Sequence, residues 1–150
     1  MIQFLPRKKR RSYTIIIGCG RLGANLANTL SDEGEEALIL DKNEESFRRL
    51  SPSYGGLSVV GDGMDLEVLR SVRISEANTL VVVTNNDNVN VMIALLAREL
   101  FGVKNVIARL YDPERECVYK ELNIGTICPA VLSAHEIDKL LARQEEVENA

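Results

Sequence analysis

Ile15-Ile16-Ile17-Gly18-Cys19-Gly20-Arg21-Leu22-Gly23 is the stretch on which the fold turns. Three consecutive β-branched apolar residues suit a strand covered on both faces. The Gly-x-Gly-x-x-Gly spacing behind them says little alone, but at the junction of such a strand and a helix-forming run it reads as the first turn of a βαβ unit. Each glycine then has its own task. Gly18 permits the tight turn, Gly20 lets the backbone approach a phosphate, and Gly23 lets the helix lie close on the strand.

Outward from this turn, short β-branched apolar runs alternate with longer segments of helical period. Strands are expected over residues 14–18, 37–41, 57–60, 79–84, 105–109 and 126–128, and helices over 22–33, 44–50, 65–72, 88–101 and 113–122. Alternation of this kind gives a parallel sheet with right-handed crossovers. The fold class that follows is α/β: a Rossmann-type, doubly wound, six-stranded parallel sheet in three layers, with strand order 3-2-1-4-5-6. The third strand, Leu-Ser-Val-Val, and the fourth, Thr-Leu-Val-Val-Val-Thr, both read as runs buried on two faces. One nucleotide-binding domain over residues 13–129 is expected, flanked by a basic arm (1–12) and a last helix (130–148, within a segment running to 150). Val131, Ile137, Leu140 and Leu141 form an apolar stripe on that helix, which either packs on its own sheet or meets a partner.

A chain of 150 residues, 45% hydrophobic and 27% charged, is an ordinary globular domain with no apolar run long enough to span a membrane. Five of its 18 basic residues lie at positions 7–11, leaving 13 basic against 22 acidic residues beyond them. The acidic body argues against nucleic acid as a partner, because that affinity comes from neutralised phosphates. The arm either touches an anionic surface or is a solvated tail. Three cysteines without Cys-x-x-Cys spacing, and one histidine, suggest neither a disulfide framework nor a metal site. A reducing, cytoplasmic setting is the expectation, since residues 1–11 lack the apolar stretch of a signal peptide.

The site should lie outside the carboxyl ends of the central strands. Gly18, Cys19, Gly20, Arg21, Leu22 and Gly23 would cradle phosphate at the start of the first helix. Asp41, ending the second strand, is placed to accept hydrogen bonds from both ribose hydroxyls of an adenosine, and it repels a 2′-phosphate. Its other reading is a cap for the helix beginning near Asn43. Lys42 pulls the other way, as a cation that could accommodate NADP. Asp62 and Gly63, in the Gly61-Asp62-Gly63 turn, would face the adenine edge. In the polar cluster 84–90, Asp87 or Asn88 is expected to cap the helix, leaving Thr84 and Asn85 as ligand neighbours.

These stretches, together with Val106-Ile107-Ala108-Arg109 and Asp112-Pro113, resemble the nucleotide-binding lobe of the RCK or KTN (TrkA-N) family, cytosolic regulators of Trk and Ktr potassium uptake systems and of potassium channels. The resemblance spans about residues 13–145. It implies a regulatory subunit, not an enzyme, that binds NAD(H) or an adenine nucleotide (ATP, ADP or AMP), pairs as a homodimer or higher oligomer through the last helix, and acts on a membrane-embedded potassium transporter or channel, cytoplasmic or peripheral at the inner face of the membrane. It also implies that Arg21 reaches the nucleotide phosphates and that Arg109 stands near the site, although an edge-strand salt bridge would account for Arg109 equally well. Two features depart from the family pattern. No second, C-terminal lobe is matched before the sequence ends soon after Glu148, and Asn123 replaces an expected glycine, a turn that asparagine tolerates.

Two other classes compete. A small NAD-dependent oxidoreductase lacks support: His135 lies in the last helix, there is no Tyr-x-x-x-Lys pair, and Tyr111 and Asp112 have no activating neighbour in sequence. A redox or energy sensor with a soluble partner would use the same domain unchanged.

Overall fold

The structure, a computed structural model, describes residues 12–150; all but the last residue of the expected basic arm (1–12) lie outside them. β1 (Tyr13–Ile17) is buried at every position. It pairs in parallel with β2 (Glu36–Asp41) on one side and β4 (Thr79–Val82) on the other. β3 (Leu57–Val60) extends the sheet beyond β2, and β5 (Asn105–Arg109) and β6 (Gly125–Ile127) extend it beyond β4. The order is β3-β2-β1-β4-β5-β6, all parallel, as the sequence pattern predicts.

Strand alternation divides the isoleucines between two cores. Ile15 and Ile17 join Leu38, Leu40, Leu80 and Val82 beneath α2 (Leu66–Ser71) and α3 (Asp87–Leu95), whose Leu69, Ile93 and Ala94 close that layer. Ile16, Ile39 and Val81 face the other way, against Ala24 and Ala27 of α1 (Arg21–Asp32). Burying each such isoleucine contributes roughly 1.5–3 kcal/mol. This pins β1 between layers and fixes the direction in which its glycine turn emerges.

Helix boundaries fall within a few residues of expectation, but some helices are tighter or shorter. Residues Glu44–Arg49 form a 3-10 helix, α3 passes into a π-helical segment (Leu96–Leu100), and the fifth crossover divides into a 3-10 turn (Pro113–Arg115) and α4 (Glu116–Glu121). Asn123 takes the left-handed conformation (φ 59°) expected of it.

Two expectations need correction. β3 is not covered on both faces: Leu57 is 61% and Val60 52% exposed, because the strand order leaves β3 at an edge. The cap of α3 is Asn86, whose side chain accepts from the Val89 N–H at 3.0 Å, not Asp87 or Asn88. β4 ends two residues earlier than expected, at Val82, so the helix begins earlier too. The last helix, α5 (Pro129–Glu148), buries none of its residues, with Val131, Ile137, Leu140 and Leu141 all exposed. Of the two readings of its stripe, packing on its own sheet is therefore excluded.

Candidate nucleotide site

The three glycines of the turn have different physical reasons for being there. Gly18 has φ 107°, and a Cβ would lie 2.8 Å from the carbonyl oxygen of Val83, just past β4. At Gly23 a Cβ would come within 1.8 Å of the Gly18 carbonyl oxygen, so only glycine lets α1 lie this close to β1. Gly20 is different. Its backbone is extended (φ −81°, ψ −164°), open to any residue, and a Cβ would meet no atom of the described residues within 4 Å. Neither conformation nor packing among the described residues requires glycine at position 20. A ligand approaching the backbone there supplies a reason.

Gly20 is also the cap residue of α1, and it brings no side chain to the free N–H groups of the first turn, which holds no acidic residue either. The helices that follow β2, β3, β4 and β5 are all capped by side chains: Asn43 accepts from Glu45 N–H, Asp65 from Glu67 N–H, Asn86 from Val89 N–H and Asp112 from Glu114 N–H. The N-terminus of α1 thus keeps its donors and its partial positive charge unspent.

Asp41 is tied directly to this turn. One carboxylate oxygen accepts from the Cys19 N–H and the other from the Asn43 N–H, both at 2.8 Å. Helix capping belongs to Asn43, so the capping reading of Asp41 falls away. A carboxylate offers about four acceptor sites, and two remain for a ribose. Lys42 directs its ammonium to Asp62 at 3.5 Å, while the other Asp62 oxygen accepts from Met64 N–H at 2.9 Å. Gly63 is packed from below, where a Cβ would lie 2.8 Å from Ile17 Cγ2 and 2.9 Å from Ile93 Cδ1.

Cys19 presents only its backbone to the turn. Its thiol is buried and donates to the Ser46 carbonyl at 3.3 Å. Burial pushes the thiol pKa up, and Asp41 raises it further against the opposing pull of Arg49. Arg21 and Leu22 are exposed on the first turn of α1, and Arg21 makes no hydrogen bond or ion pair among the described residues. A second cation at the turn was not foreseen: Arg49 donates to the Cys19 carbonyl at 3.5 Å. Its approach depends on how the 3-10 segment returns toward β1, and no motif announces that.

At the β4 end the polar groups bind one another. Fully buried Asn90 accepts from the Thr84 N–H at 3.0 Å and from the Thr84 hydroxyl, and it donates to the carbonyls of Thr84 (3.1 Å) and Arg109 (3.0 Å). Asp87 accepts from the N–H groups of Tyr111 (2.9 Å) and Asp112 (3.1 Å). Asn90 shares a helical face with Ile93, Ala94 and Ala97, and a polar residue on an apolar face is the signal that could have singled it out. Arg109 makes no salt bridge among the described residues. It donates to the carbonyls of Val83 (2.8 Å) and Thr84 (3.1 Å), approaches exposed Asn85 at 3.5 Å, and lies 4.8 Å from the centroid of the Tyr111 ring. Its strand, β5, is internal, so the edge-strand reading of this arginine does not hold.

Among the described residues no group of three or more His, Cys, Asp or Glu side chains is placed to hold a metal ion, and no helix is long and apolar enough to cross a membrane. The arrangement combines an uncapped helix start, an open glycine, a fixed acceptor and nearby guanidinium groups. Those parts suit the phosphate and ribose of a nucleotide.

The family model described as the TrkA-N domain matches residues 14–129. The Trk system potassium uptake protein TrkA of Streptomyces coelicolor is 43% identical over 131 residues, which cover 87% of this chain and 57% of the relative. The chain thus spans little more than half the length of that relative. Among solved structures, the GsuK RCK domain superposes with a TM-score of 0.76 at 25% identity, over 92% of this chain and 30% of the other. A GsuK channel bound to NAD superposes with a TM-score of 0.66 at 21% identity, over 83% of this chain and 22% of the other.

Proposed function

This chain belongs to the TrkA-N domain family, and from that premise we propose that it is the nucleotide-sensing domain of a potassium uptake regulator. The observation that carries the reading is the 2.8 Å contact between Asp41 and the Cys19 N–H. It joins the ribose acceptor to the phosphate turn, beside an uncapped helix start and a glycine whose missing side chain faces open space.

In this reading the backbone of residues 18–23 and Arg21 hold the phosphates, Asp41 takes the ribose hydroxyls, and Asp62 and Gly63 border the adenine. Thr84, Asn85 and Arg109 line the far wall. NAD(H), ATP, ADP and AMP share the adenosine and phosphate that these groups recognise. The chemistry is binding: Cys19, the thiol at the turn, is buried and held protonated, and His135 stands on the exposed α5. The chain works on the cytoplasmic side, with a membrane-embedded potassium transporter or channel as its partner. The apolar stripe of α5 pairs with a second copy; that none of the residues of this 20-residue helix is buried supports an interface there. The nucleotide acts by binding one arrangement of the pair better than another, since equal affinity for both would shift nothing.

The test is a thermal-shift panel of NAD, NADH, NADPH, ATP, ADP and AMP on protein first freed of any co-purified nucleotide. At a hundred times its dissociation constant a ligand adds about 2.7 kcal/mol, a rise of roughly 5–10 °C for a domain this size. Adenine nucleotides should produce that rise. No shift with any of them would leave the turn a purely structural feature and overturn the proposal.

A further inference from the structure

We infer that the Lys42–Asp62 ion pair sets the choice between nucleotides with and without a 2′-phosphate, Asp62 holding the Lys42 ammonium away from that group. The inference deepens the nucleotide reading above and rests on it. Asp41 ends β2 opposite Val60 of β3, and the Gly61 N–H donates to the Asp41 carbonyl at 2.9 Å. Lys42 and Asp62 therefore leave two paired strand ends side by side, and their side chains meet at 3.5 Å across the rim. In dinucleotide-binding sheets, a cation beside the ribose-binding acid is what accommodates a 2′-phosphate. Lys42 occupies that place in the chain, immediately after Asp41, but its ammonium is directed to a carboxylate.

Two backbone donors next to Lys42 are already used. The Asn43 N–H goes to Asp41, and the Glu45 N–H goes to the Asn43 side chain. A 2′-phosphate at this rim would find the Lys42 charge already shared with Asp62, and Asp41, Lys42 and Asp62 together carry one net negative charge. The Asp62 carboxylate is itself held by the Met64 N–H at 2.9 Å, so it does not move aside freely. The Lys42 and Asp62 side chains are 67% and 45% exposed, which limits the preference to a factor of a few per charge.

The experiment is calorimetric titration of NADH and NADPH into wild type, Asp62→Asn and the double variant Lys42→Met/Asp62→Asn. Asparagine keeps an oxygen for the Met64 N–H, so the turn is preserved. The readout is the ratio of the two dissociation constants, whatever the substitution does to either nucleotide alone. Asp62→Asn should narrow the preference for NADH by about three- to fivefold, and removal of Lys42 should cancel that gain. An unmoved ratio in Asp62→Asn, or a narrowing that persists without Lys42, overturns the inference while leaving the nucleotide site standing. Wild-type protein that binds neither nucleotide overturns the site and this inference together.

Discussion

Around the ends of β4 and β5, one side chain, Asn90, makes four hydrogen bonds, and Asp87 and Arg109 add backbone contacts on both sides of it. Around the ends of β1 and β2 the economy is reversed: the α1 start has no side-chain cap, Gly20 faces open space, and Arg21 has no partner among the described residues. The first region spends its polar groups on the protein and becomes a rigid wall. The second leaves donors and acceptors unspent, at some expense of stability, which is what a binding surface requires.

The largest effect that would break this comparison comes from the glycines. Gly23→Ala forces a Cβ onto the Gly18 carbonyl, and unfolding in denaturant should show a loss of more than about 3 kcal/mol. Gly20→Ala should change stability by under about 1 kcal/mol yet weaken nucleotide binding at least about tenfold, because the methyl enters ligand space and not protein. Equal destabilisation by both would erase the distinction between packing and binding glycines.

Next in size is Asn90→Ala. It orphans the buried partners of Asn90 at Thr84 and Arg109, and should reduce stability by about 2–4 kcal/mol. Measured where the variant is still folded, nucleotide affinity should suffer less than in Gly20→Ala. The reverse order would move the binding surface to the β4 end.

A smaller effect concerns what supports the binding half from beneath. Burial raises the pKa of Cys19 and Tyr13, and pushes Tyr54, whose hydroxyl donates to the Leu57 carbonyl at 2.8 Å, up to about 12. A folded pKa above the unfolded one favours the protonated form in the fold. The stability these groups contribute is full below their ordinary values of 9.0 and 10.0 and is lost as pH rises through the raised ones. Melting temperature should decline steadily on the alkaline side of about pH 9. A flat profile to about pH 11 would remove these groups from the account.

Much of the geometry at the β1 and β2 ends was legible in the sequence because its signals are local. A β-branched run ending in Gly-x-Gly-x-x-Gly, and an acid ending the next strand, require no knowledge of distant partners. The β4 half was less legible, since Asn90 draws meaning from Arg109, 19 residues away, and a shift of one or two positions in strand end moves the cap from the expected Asp87 or Asn88 to Asn86. β3 was misread for a related reason. Leu-Ser-Val-Val is apolar whether central or at an edge, and only the strand order says that no other described strand lies beyond it. The exposure of α5 likewise reflects what it does not contact, which periodicity alone left open.

The most direct test of the central claim is calorimetric titration of NADH into nucleotide-free wild type and Asp41→Ala, with folding of both verified by circular dichroism. A carboxylate accepting ribose hydroxyls makes charge-assisted hydrogen bonds, so the substitution should weaken binding roughly ten- to a hundredfold. Unchanged affinity in Asp41→Ala would show that the acid serves only to hold Cys19 and Asn43, and would contradict the proposed site.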